Sequence, residues 1–161
     1  MIVFFDTEFT DLAAEAKLIS LGAVSEDGRE FYRELAGYTV EECSWFVVDA
    51  VLPHLRQGDV RVSFTELGRQ MRQWIEWFGE PVELATDSLA WDWMWLSEIL
   101  GEDWPLNLAK RPRLLNMNNL DNWDAFATAM ERTFSSGLRR HHALDDAKAN
   151  RAGFRAAGGF V

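Results

Sequence analysis

Two carboxylates follow directly on the apolar N-terminal run of the chain, Asp6 and Glu8 in "MIVFFDTEFT". Alternate residues of a β-strand project from the same face, so we expect the two side chains to point the same way. Carboxylates that lie close together repel each other unless one is protonated or a cation lies between them. Mg²⁺ and Mn²⁺ prefer such hard oxygen ligands. The pattern therefore predicts a metal site; the alternative is that the strand ends at Phe5 and both acids are solvated.

A histidine and an acid near the C-terminus could complete such a site. In "RRHHALDDAKANR", His141 stands five residues before Asp146, which falls in or near the first turn of a predicted helix. There the carboxylate can face inward while the imidazole, on the preceding loop, reaches over the same site. The adjacent His142 is an alternative to His141, or else a surface residue at the helix N-terminus. His54 and Asp59 repeat the spacing on a predicted loop without a strand-end acid nearby, so we assign them no role.

A further acidic position lies in the middle of the chain, in "ELATDSLAWDWMWL". A strand is predicted to run into a helix that carries Asp92, whose carboxylate could approach the first strand from the side. Asp87 is an alternative acid. Because Thr86 and Ser88 flank it, a helix-capping or turn role is equally compatible with its position.

Apolar periodicity predicts the elements that would position these acids. "MIVFFDTEF" is typical of a buried strand, and "AKLISLGAVSEDGREFYREL" of a hairpin with Asp27-Gly28 at its turn. Ser63 is expected to cap a helix through "FTELGRQMRQWIEWF", with Glu66 completing a capping box. The apolar stripe of that helix would comprise Phe64, Leu67, Met71, Trp74, Ile75 and Phe78.

The second half of the chain alternates between strand and helix patterns. "PVELAT" and "RPRLLNMN" are predicted strands, and the predicted helices are "LAWDWMWLSEIL", "NLDNWDAFATAMERTF" and "HALDDAKANRAGFRAA". "CSWFVVDAVLPHL" is expected to be irregular before a short helix that stops near Pro53. Strands first, then strands alternating with helices, predict one α/β domain over residues 1–161 with a mixed sheet flanked by helices.

The bulk composition is that of a globular protein, with 48% of the 161 residues hydrophobic and 26% charged. No apolar run is long enough to cross a membrane or to act as a secretory leader. Cys43 is the only cysteine, so no internal disulfide can form, and a reducing cytoplasm is the expected location.

The formal net charge is −10 at pH 7. Long-range electrostatics would repel a nucleic-acid backbone, which argues against generic nucleic-acid binding. Carboxylates around metal ions are a different case, because bound cations reverse the local sign of the field. Arg139 and Arg140, directly before His141, could contact phosphates or could instead pair with surplus acids.

Taken in chain order, these motifs resemble those of the DEDDh exonuclease superfamily, which is named for four acids and a histidine. Asp6 and Glu8 in "FFDTEFTDL" match its first motif. Asp92 in "SLAWD" matches the second, and His141 with Asp146 in "HHALDDA" the third. The segments "LISLGAVSEDGREFYREL" and "SWFVVDAVLPHL" are also similar to the small bacterial exoribonucleases described as RNase AS. The second motif departs from the family pattern, because Asp87-Ser88 stands where His-Asn is common.

The resemblance implies an RNase H-like fold, two Mg²⁺ or Mn²⁺ ions, a homodimer, and 3′→5′ hydrolysis of RNA with a preference for adenylate. It implies that the ions are held by Asp6, Glu8, Asp92 and Asp146. His141 would then be the general base that takes a proton from the attacking water. The products would be a 5′-mononucleotide and a chain one residue shorter.

In the related nucleases, apolar residues after the first glutamate contact the terminal nucleotide. Phe9 and Leu12 are therefore candidate substrate contacts, with plain core packing as the alternative. Stacking tolerates any base, so such contacts would hold the 3′ end of RNA without reading its sequence. Trp45 in "CSWF" is a candidate for a base or dimer contact, whereas Trp74 and Trp77 are expected in the core.

Two other functions are compatible with the sequence. One is a DNA exonuclease of the same fold, because no residue pattern identifies a group that reads a 2′-hydroxyl. The other is a catalytically silent module that binds nucleic acid or protein. The full set of acids argues against a silent module, because clustered carboxylates facing a polyanion would only weaken its binding. No Gly-rich phosphate loop, Ser-His-Asp order or zinc-ligand spacing supports another class of enzyme.

Overall fold

A six-stranded mixed sheet organises the protein, and the computed structural model describes residues 1–159 of it. The last two residues of the predicted 1–161 domain lie outside the described residues. The strands are β1 (Ile2–Phe9), β2 (Leu18–Ser25), β3 (Glu30–Leu35), β4 (Arg61–Val62), β5 (Glu83–Thr86) and β6 (Arg113–Leu114). The helices are α1 (Trp45–Ala50), α2 (Phe64–Glu76), α3 (Met94–Leu100), α4 (Trp123–Ser135) and α5 (Ala143–Ala156).

The strand order in the sheet is β4-β3-β2-β1-β5-β6. β1 pairs antiparallel with β2 on one side and parallel with β5 on the other. A continuous apolar run is typical of such an interior strand, because both of its faces are covered. The predicted α/β class with a mixed sheet flanked by helices is thus confirmed, and the architecture is consistent with an RNase H-like fold.

The two faces of β1 contribute to two different apolar clusters. Val3 and Phe5 pack in the larger cluster, which contains residues of α2 and α3. Phe4 points to the other face and packs in a cluster with residues of α4 and α5. Because side chains alternate along a strand, Asp6 and Glu8 continue the face of Phe4. They are therefore directed toward the side of the sheet that α5 covers.

A glycine opposite Asp6 allows α5 to approach the sheet. Gly22 in β2 is the register partner of Asp6. A Cβ atom on Gly22 would lie 2.1 Å from the backbone nitrogen of Leu144 and 2.3 Å from the carbonyl carbon of Ala143. Only a residue without a side chain permits this contact. The first turn of α5, with its acids, is thereby brought against the part of β1 that carries Asp6 and Glu8.

The strongest sequence patterns are confirmed in the structure. The predicted hairpin is formed by β2 and β3, and the hydroxyl of Ser63 accepts a hydrogen bond from the backbone N–H of Glu66 at the start of α2. The Glu66 side chain binds Arg69 and does not complete the capping box. The predicted stripe of α2 contributes to the larger cluster, and α5 ends just before Gly158 as expected.

Several predicted elements differ in the structure. α1 starts earlier than expected, because the hydroxyl of Ser44 caps it, and Pro53 falls in a separate 3₁₀ turn, Leu52–His54. The strand in "RPRLLNMN" is only two residues long, and α4 begins at Trp123 rather than near Asn119. The Asn116 side chain accepts hydrogen bonds from the N–H groups of residues 118 and 119, so this stretch forms a turn. None of the helices within residues 1–159 is long and apolar enough to span a membrane.

Candidate active site

One cavity of about 600 Å³ brings together the predicted site residues from distant parts of the chain. Its lining includes the predicted acids, the predicted histidine and the predicted substrate contacts: Asp6, Glu8, Asp92, Asp146, His141, Phe9 and Leu12. These residues come from β1 and the loop after it, from the segment after β5, and from the start of α5. The structure therefore places all seven predicted residues at a single site.

The ligand atoms within this cavity form two groups. Glu8, His141 and Asp146 offer atoms that all lie within 4.8 Å of one another, and Asp6, Asp87 and Asp92 form a second group by the same measure. Carboxylate oxygens dominate both groups, which is the donor chemistry that Mg²⁺ and Mn²⁺ prefer. The residues present therefore fit a pair of hard divalent cations.

Asp92 is held in place by two threonines. It lies in a π-helical turn, Leu89–Trp93, rather than in the regular helix that the sequence predicted. Thr7 donates to Oδ1 of Asp92 from its backbone nitrogen at 3.1 Å and from its hydroxyl at 2.7 Å. The hydroxyl of Thr86, at the end of β5, donates to Oδ2 at 2.5 Å. Asp92 is buried, and these hydrogen bonds connect it to both β1 and β5.

The carboxylates of the cavity oppose one another's ionisation. Burial, together with the neighbouring Asp92 and Glu8, raises the pKa of Asp6 well above its ordinary value. Burial and Asp146 do the same to the pKa of Glu8. Burial also raises the pKa of Asp92 and that of Asp146 to about 7. Like charges held close together at low dielectric disfavour ionisation, so a bound cation would stabilise the ionised form of these carboxylates.

His141 and His142 have different surroundings although they are adjacent. His141 has a left-handed backbone, with φ of 59°, and its ring lines the cavity edge-on to Phe46, with centroids 5.0 Å apart. Burial, then Arg140, lowers the pKa of His141, so its imidazole is neutral and able to accept a proton at neutral pH.

His142 is a structural residue of the helix start. Its ring is buried and stacks on Tyr32, with centroids 4.6 Å apart. Its Nδ1 accepts a hydrogen bond from the backbone N–H of Asp145, so His142 caps α5. The expectation that His142 is a surface residue is therefore wrong, because the cap turns its ring into the core. Its ring is not part of the cavity lining.

Aromatic and aliphatic side chains form one wall of the cavity. Phe9 stacks on Trp91 with centroids 5.2 Å apart, and it is only partly buried. Leu12 is 70% exposed and Trp45 is 81% exposed, although both line the cavity. Trp77, expected in the core, is instead 67% exposed; it follows the last turn of α2, and the guanidinium of Arg29 lies over its ring.

The two arginines before His141 have separate roles in the structure. Arg139 binds Asp145 through its Nε at 2.8 Å and donates to the backbone carbonyl of His54. Arg140 pairs with Glu131 on the surface but also lines the cavity. The pairing alternative therefore describes both arginines, and of the two only Arg140 also lines the cavity.

Two further cavity residues were not selected by the sequence reasoning. Asp87, for which the sequence leaves open an alternative acidic ligand or a capping or turn residue, belongs to one of the two groups of ligand atoms. Asn150 lines the cavity and donates from Nδ2 to Oδ1 of Asp87 at 3.2 Å. A signal for Asn150 did exist, because it stands one helical turn after Asp146 and so shares its face of α5.

Comparison with known families agrees with this geometry. Residues 1–157 match the family described as the 3′-5′ exoribonuclease Rv2179c-like domain. The chain belongs to this family. The match covers every residue of the cavity described above, from β1 to α5.

Two curated relatives come from Mycobacterium tuberculosis. They are the 3′-5′ exoribonuclease Rv2179c of strain ATCC 25618 / H37Rv and the 3′-5′ exoribonuclease MT2234.1 of strain CDC 1551 / Oshkosh. Each is 42% identical to this chain over 55 residues, which is 34% of the chain and 33% of the relative. The aligned segment thus spans about a third of the length of either relative.

Proposed function

We propose that this protein is a divalent-metal-dependent 3′→5′ exoribonuclease that releases 5′-mononucleotides from the 3′ end of RNA. The observation that carries the proposal is the convergence of the acids and His141 on one cavity, in a chain of an exoribonuclease family. Such a cavity would repel RNA without bound cations, since Arg140 is its one basic side chain within residues 1–159 other than histidine. A requirement for metal follows from that charge balance.

In the proposed site, two Mg²⁺ or Mn²⁺ ions are held by Asp6, Glu8, Asp92 and Asp146. When bound, such ions polarise a phosphodiester and promote ionisation of water. The chain's own part is to fix the ligand oxygens, and the hydrogen bonds from Thr7 and Thr86 do this for Asp92.

His141 acts as the general base in this proposal. Its imidazole offers an atom within 4.8 Å of ligand atoms of Glu8 and Asp146, so it would be in reach of a water molecule held beside those acids. Its lowered pKa keeps the accepting nitrogen free at neutral pH. The ring also packs edge-on against Phe46, which gives the base an apolar neighbour on one side.

The 3′-terminal nucleotide would rest against the apolar wall. Phe9 and Leu12 are proposed to contact the terminal base and sugar, and exposed Trp45 to stack on a base. The cavity of about 600 Å³ has the size of a typical small-ligand site, which suits a single nucleotide. We propose a preference for adenylate on the family resemblance.

The remaining proposals also follow the resemblance: a DEDDh-type exonuclease close to RNase AS, one domain over residues 1–161, a homodimer and a cytoplasmic location. Exposed Val48 extends the apolar surface of the cavity-lining Trp45 and Phe46 on α1, and such surfaces are typical of interaction sites as well as of ligand-binding grooves. Light scattering on the purified protein would test the dimer. A monomer at micromolar concentration would contradict the proposed dimer.

The function is tested with purified protein, Mn²⁺, and matched RNA and DNA oligonucleotides that end in each of the four bases. We expect stepwise shortening from the 3′ end, faster for RNA than for DNA and fastest for adenylate ends. The control is Asp6→Asn, which keeps the shape of the side chain and removes its charge. Equal cleavage of DNA would favour the alternative DNA exonuclease, and a fully active Asp6→Asn variant would remove Asp6 from the mechanism.

A further inference from the structure

Asp87 is the one carboxylate in the two groups of ligand atoms that no motif assigned. It follows β5 directly, is exposed, and lines the same cavity as the other acids. Its carboxylate oxygen lies within 4.8 Å of ligand atoms of Asp6 and Asp92.

The hydrogen bonds to Asp92 leave its carboxylate about one lone pair for a cation. A carboxylate offers about four lone-pair positions. Three hydrogen bonds from Thr7 and Thr86 occupy most of them on Asp92. Asp87 accepts one hydrogen bond, from Asn150, among the hydrogen bonds formed within residues 1–159. Of the two acids that accompany Asp6, Asp87 therefore has more oxygen available for coordination.

Asn150 provides an independent indication of a ligand beside Asp87. The residue is only 1% exposed, yet it lines the cavity. Its Nδ2 holds Asp87, while its Oδ1 has no hydrogen-bond partner within the described part of the chain. A buried amide oxygen without a donor is unfavourable. Water molecules bound to a cation are strong donors, and a donor of this kind is what the amide oxygen lacks.

We propose that Asp87, oriented by Asn150, is a fifth carboxylate ligand that joins Asp6 and Asp92 around one of the two divalent cations. This inference rests on the proposed function, because it adds a ligand to that metal site. With Asp87 included, the group around Asp6 contains three carboxylates instead of the two supplied by Asp6 and Asp92. The ion on that side should consequently bind more tightly than it would without Asp87, because affinity follows the charge of the ligands.

The test measures Mn²⁺ binding in the absence of RNA, from the electron paramagnetic resonance signal of free Mn²⁺ over the purified 161-residue chain. We expect two ions per wild-type chain. Asp87→Asn should weaken one of them by about tenfold or more and leave the other unchanged. Asn150→Ala should weaken the same ion by a smaller factor, because it removes only the residue that orients Asp87.

Asp11→Asn is the matched control. Asp11 is another exposed aspartate on the same cavity, but it lies outside both groups of ligand atoms. The variant removes one negative charge from the same rim, so it measures the effect of charge alone. Melting in EDTA checks folding, and Asp87→Asn should melt no lower than wild type, because it relieves repulsion between like charges.

The outcomes separate this inference from the proposed function. If Asp87→Asn binds both ions as Asp11→Asn does, while Asp6→Asn loses binding, the role of Asp87 is overturned and the metal site stands. If wild type binds no Mn²⁺, or Asp6→Asn binds both ions like wild type, the metal-dependent function fails and the role of Asp87 fails with it.

Discussion

Two neighbouring aspartates at the start of α5 belong to two very different regions of the molecule. Asp145 lies in a buried network in which Arg139 donates to its carboxylate and His142 accepts its backbone N–H. These partners lower the pKa of Asp145 despite its burial. Asp146 points to the cavity, where burial and other acids raise its pKa to about 7.

The buried network is stabilised by the chain itself. The carboxylate of Glu34 accepts hydrogen bonds from the hydroxyl of Tyr32 at 2.8 Å and from the backbone N–H of Arg56 and Gln57. Arg139 ties the loop before α5 to the carbonyl of His54. In this region nearly every buried charge has a partner of the chain's own.

In the cavity, no Lys or Arg within residues 1–159 forms an ion pair with the acids Asp6, Glu8, Asp92 and Asp146, although Asp92 accepts hydrogen bonds from two threonines. Protein interiors tolerate buried charges when they are paired or when they coordinate metals. The same chain thus supplies a cationic partner to Asp145 on one side of α5 and supplies none to the cavity acids on the other. Clustered carboxylates without a cationic partner lower stability when no cation is bound. This is expected of a site that binds a cation.

The largest difference should appear between the two histidines. His141→Ala is expected to lower kcat on RNA by about 10²–10⁴, the usual contribution of a positioned general base. His142→Asn should leave kcat near wild type, because asparagine can also cap a helix. Single-turnover cleavage at saturating Mn²⁺ measures both variants. A larger loss for His142→Asn than for His141→Ala would reverse the assignment.

The two aspartates should respond to the same substitution with opposite signs. Asp145→Asn is expected to destabilise the protein by about 1–2 kcal/mol, a low value for a charged hydrogen bond because Arg139 is 37% exposed. Asp146→Asn should stabilise the metal-free protein, because it removes a carboxylate that its neighbours oppose. Urea unfolding in EDTA at pH 8 gives both free energies. Destabilisation by both substitutions would remove the contrast between the two regions.

The stability of the metal-free protein should depend on pH in a defined window. With a folded-state pKa of about 7, Asp92 and Asp146 hold protons that the unfolded chain has already released. The stability that these two groups contribute is therefore fully present below their unfolded-state pKa and is lost as pH rises through 7. In EDTA, we expect the urea midpoint to fall between pH 6.5 and 8.

Millimolar Mn²⁺ should remove this fall in the urea midpoint, because cations replace the protons on the acids. His142 acts in the opposite sense, because burial lowers its folded-state pKa to about 4 while the unfolded side chain takes up a proton near its ordinary pKa of about 6.5; its contribution is therefore confined largely to the acidic edge of this window. A midpoint in EDTA that rises with pH between 6.5 and 8 would contradict the assignment of raised pKa values to the acids.

The smallest effect is expected on the apolar wall. Trp45→Ala should raise the KM for RNA about fivefold or more, which corresponds to the low end of base stacking. It should leave stability unchanged, because Trp45 is 81% exposed. Trp77→Ala is the control, since Trp77 is also exposed but is absent from the cavity lining. Equal KM values for the two variants would exclude stacking on Trp45.

Much of the fold could be predicted from periodicity, because local patterns were consistent with the final packing. β1, the hairpin of β2 and β3, and the stripe of α2 each bury the apolar face that the sequence indicated. The ends of helices and strands were predicted less well where a single side chain fixes the backbone conformation. The cap by Ser44 and the turn at Asn116 set element boundaries that apolar periodicity does not report.

The site was predictable as a set of residue types and less so as an arrangement. Asp6 and Glu8 share a face because strands alternate, and this needed only the local sequence. The place of Asp87 in the cluster required knowledge of where the chain goes after β5. The contact between Gly22 and Leu144 likewise joins residues far apart in sequence, so no local pattern indicates it.

By itself, the sequence determined which side chains alternate, which segments bury an apolar face, and that acids of one chemistry recur near its start, middle and end. These are properties of neighbouring residues, governed by backbone geometry and the hydrophobic effect. The tertiary structure alone decided which acids are paired and which are not. Asp145 and Asp146 are the same residue type at adjacent positions, but their pKa values shift in opposite directions. The pairing of a carboxylate depends on the distance to its neighbours and on the local dielectric, and these are set only when α5 packs against β1 and β2.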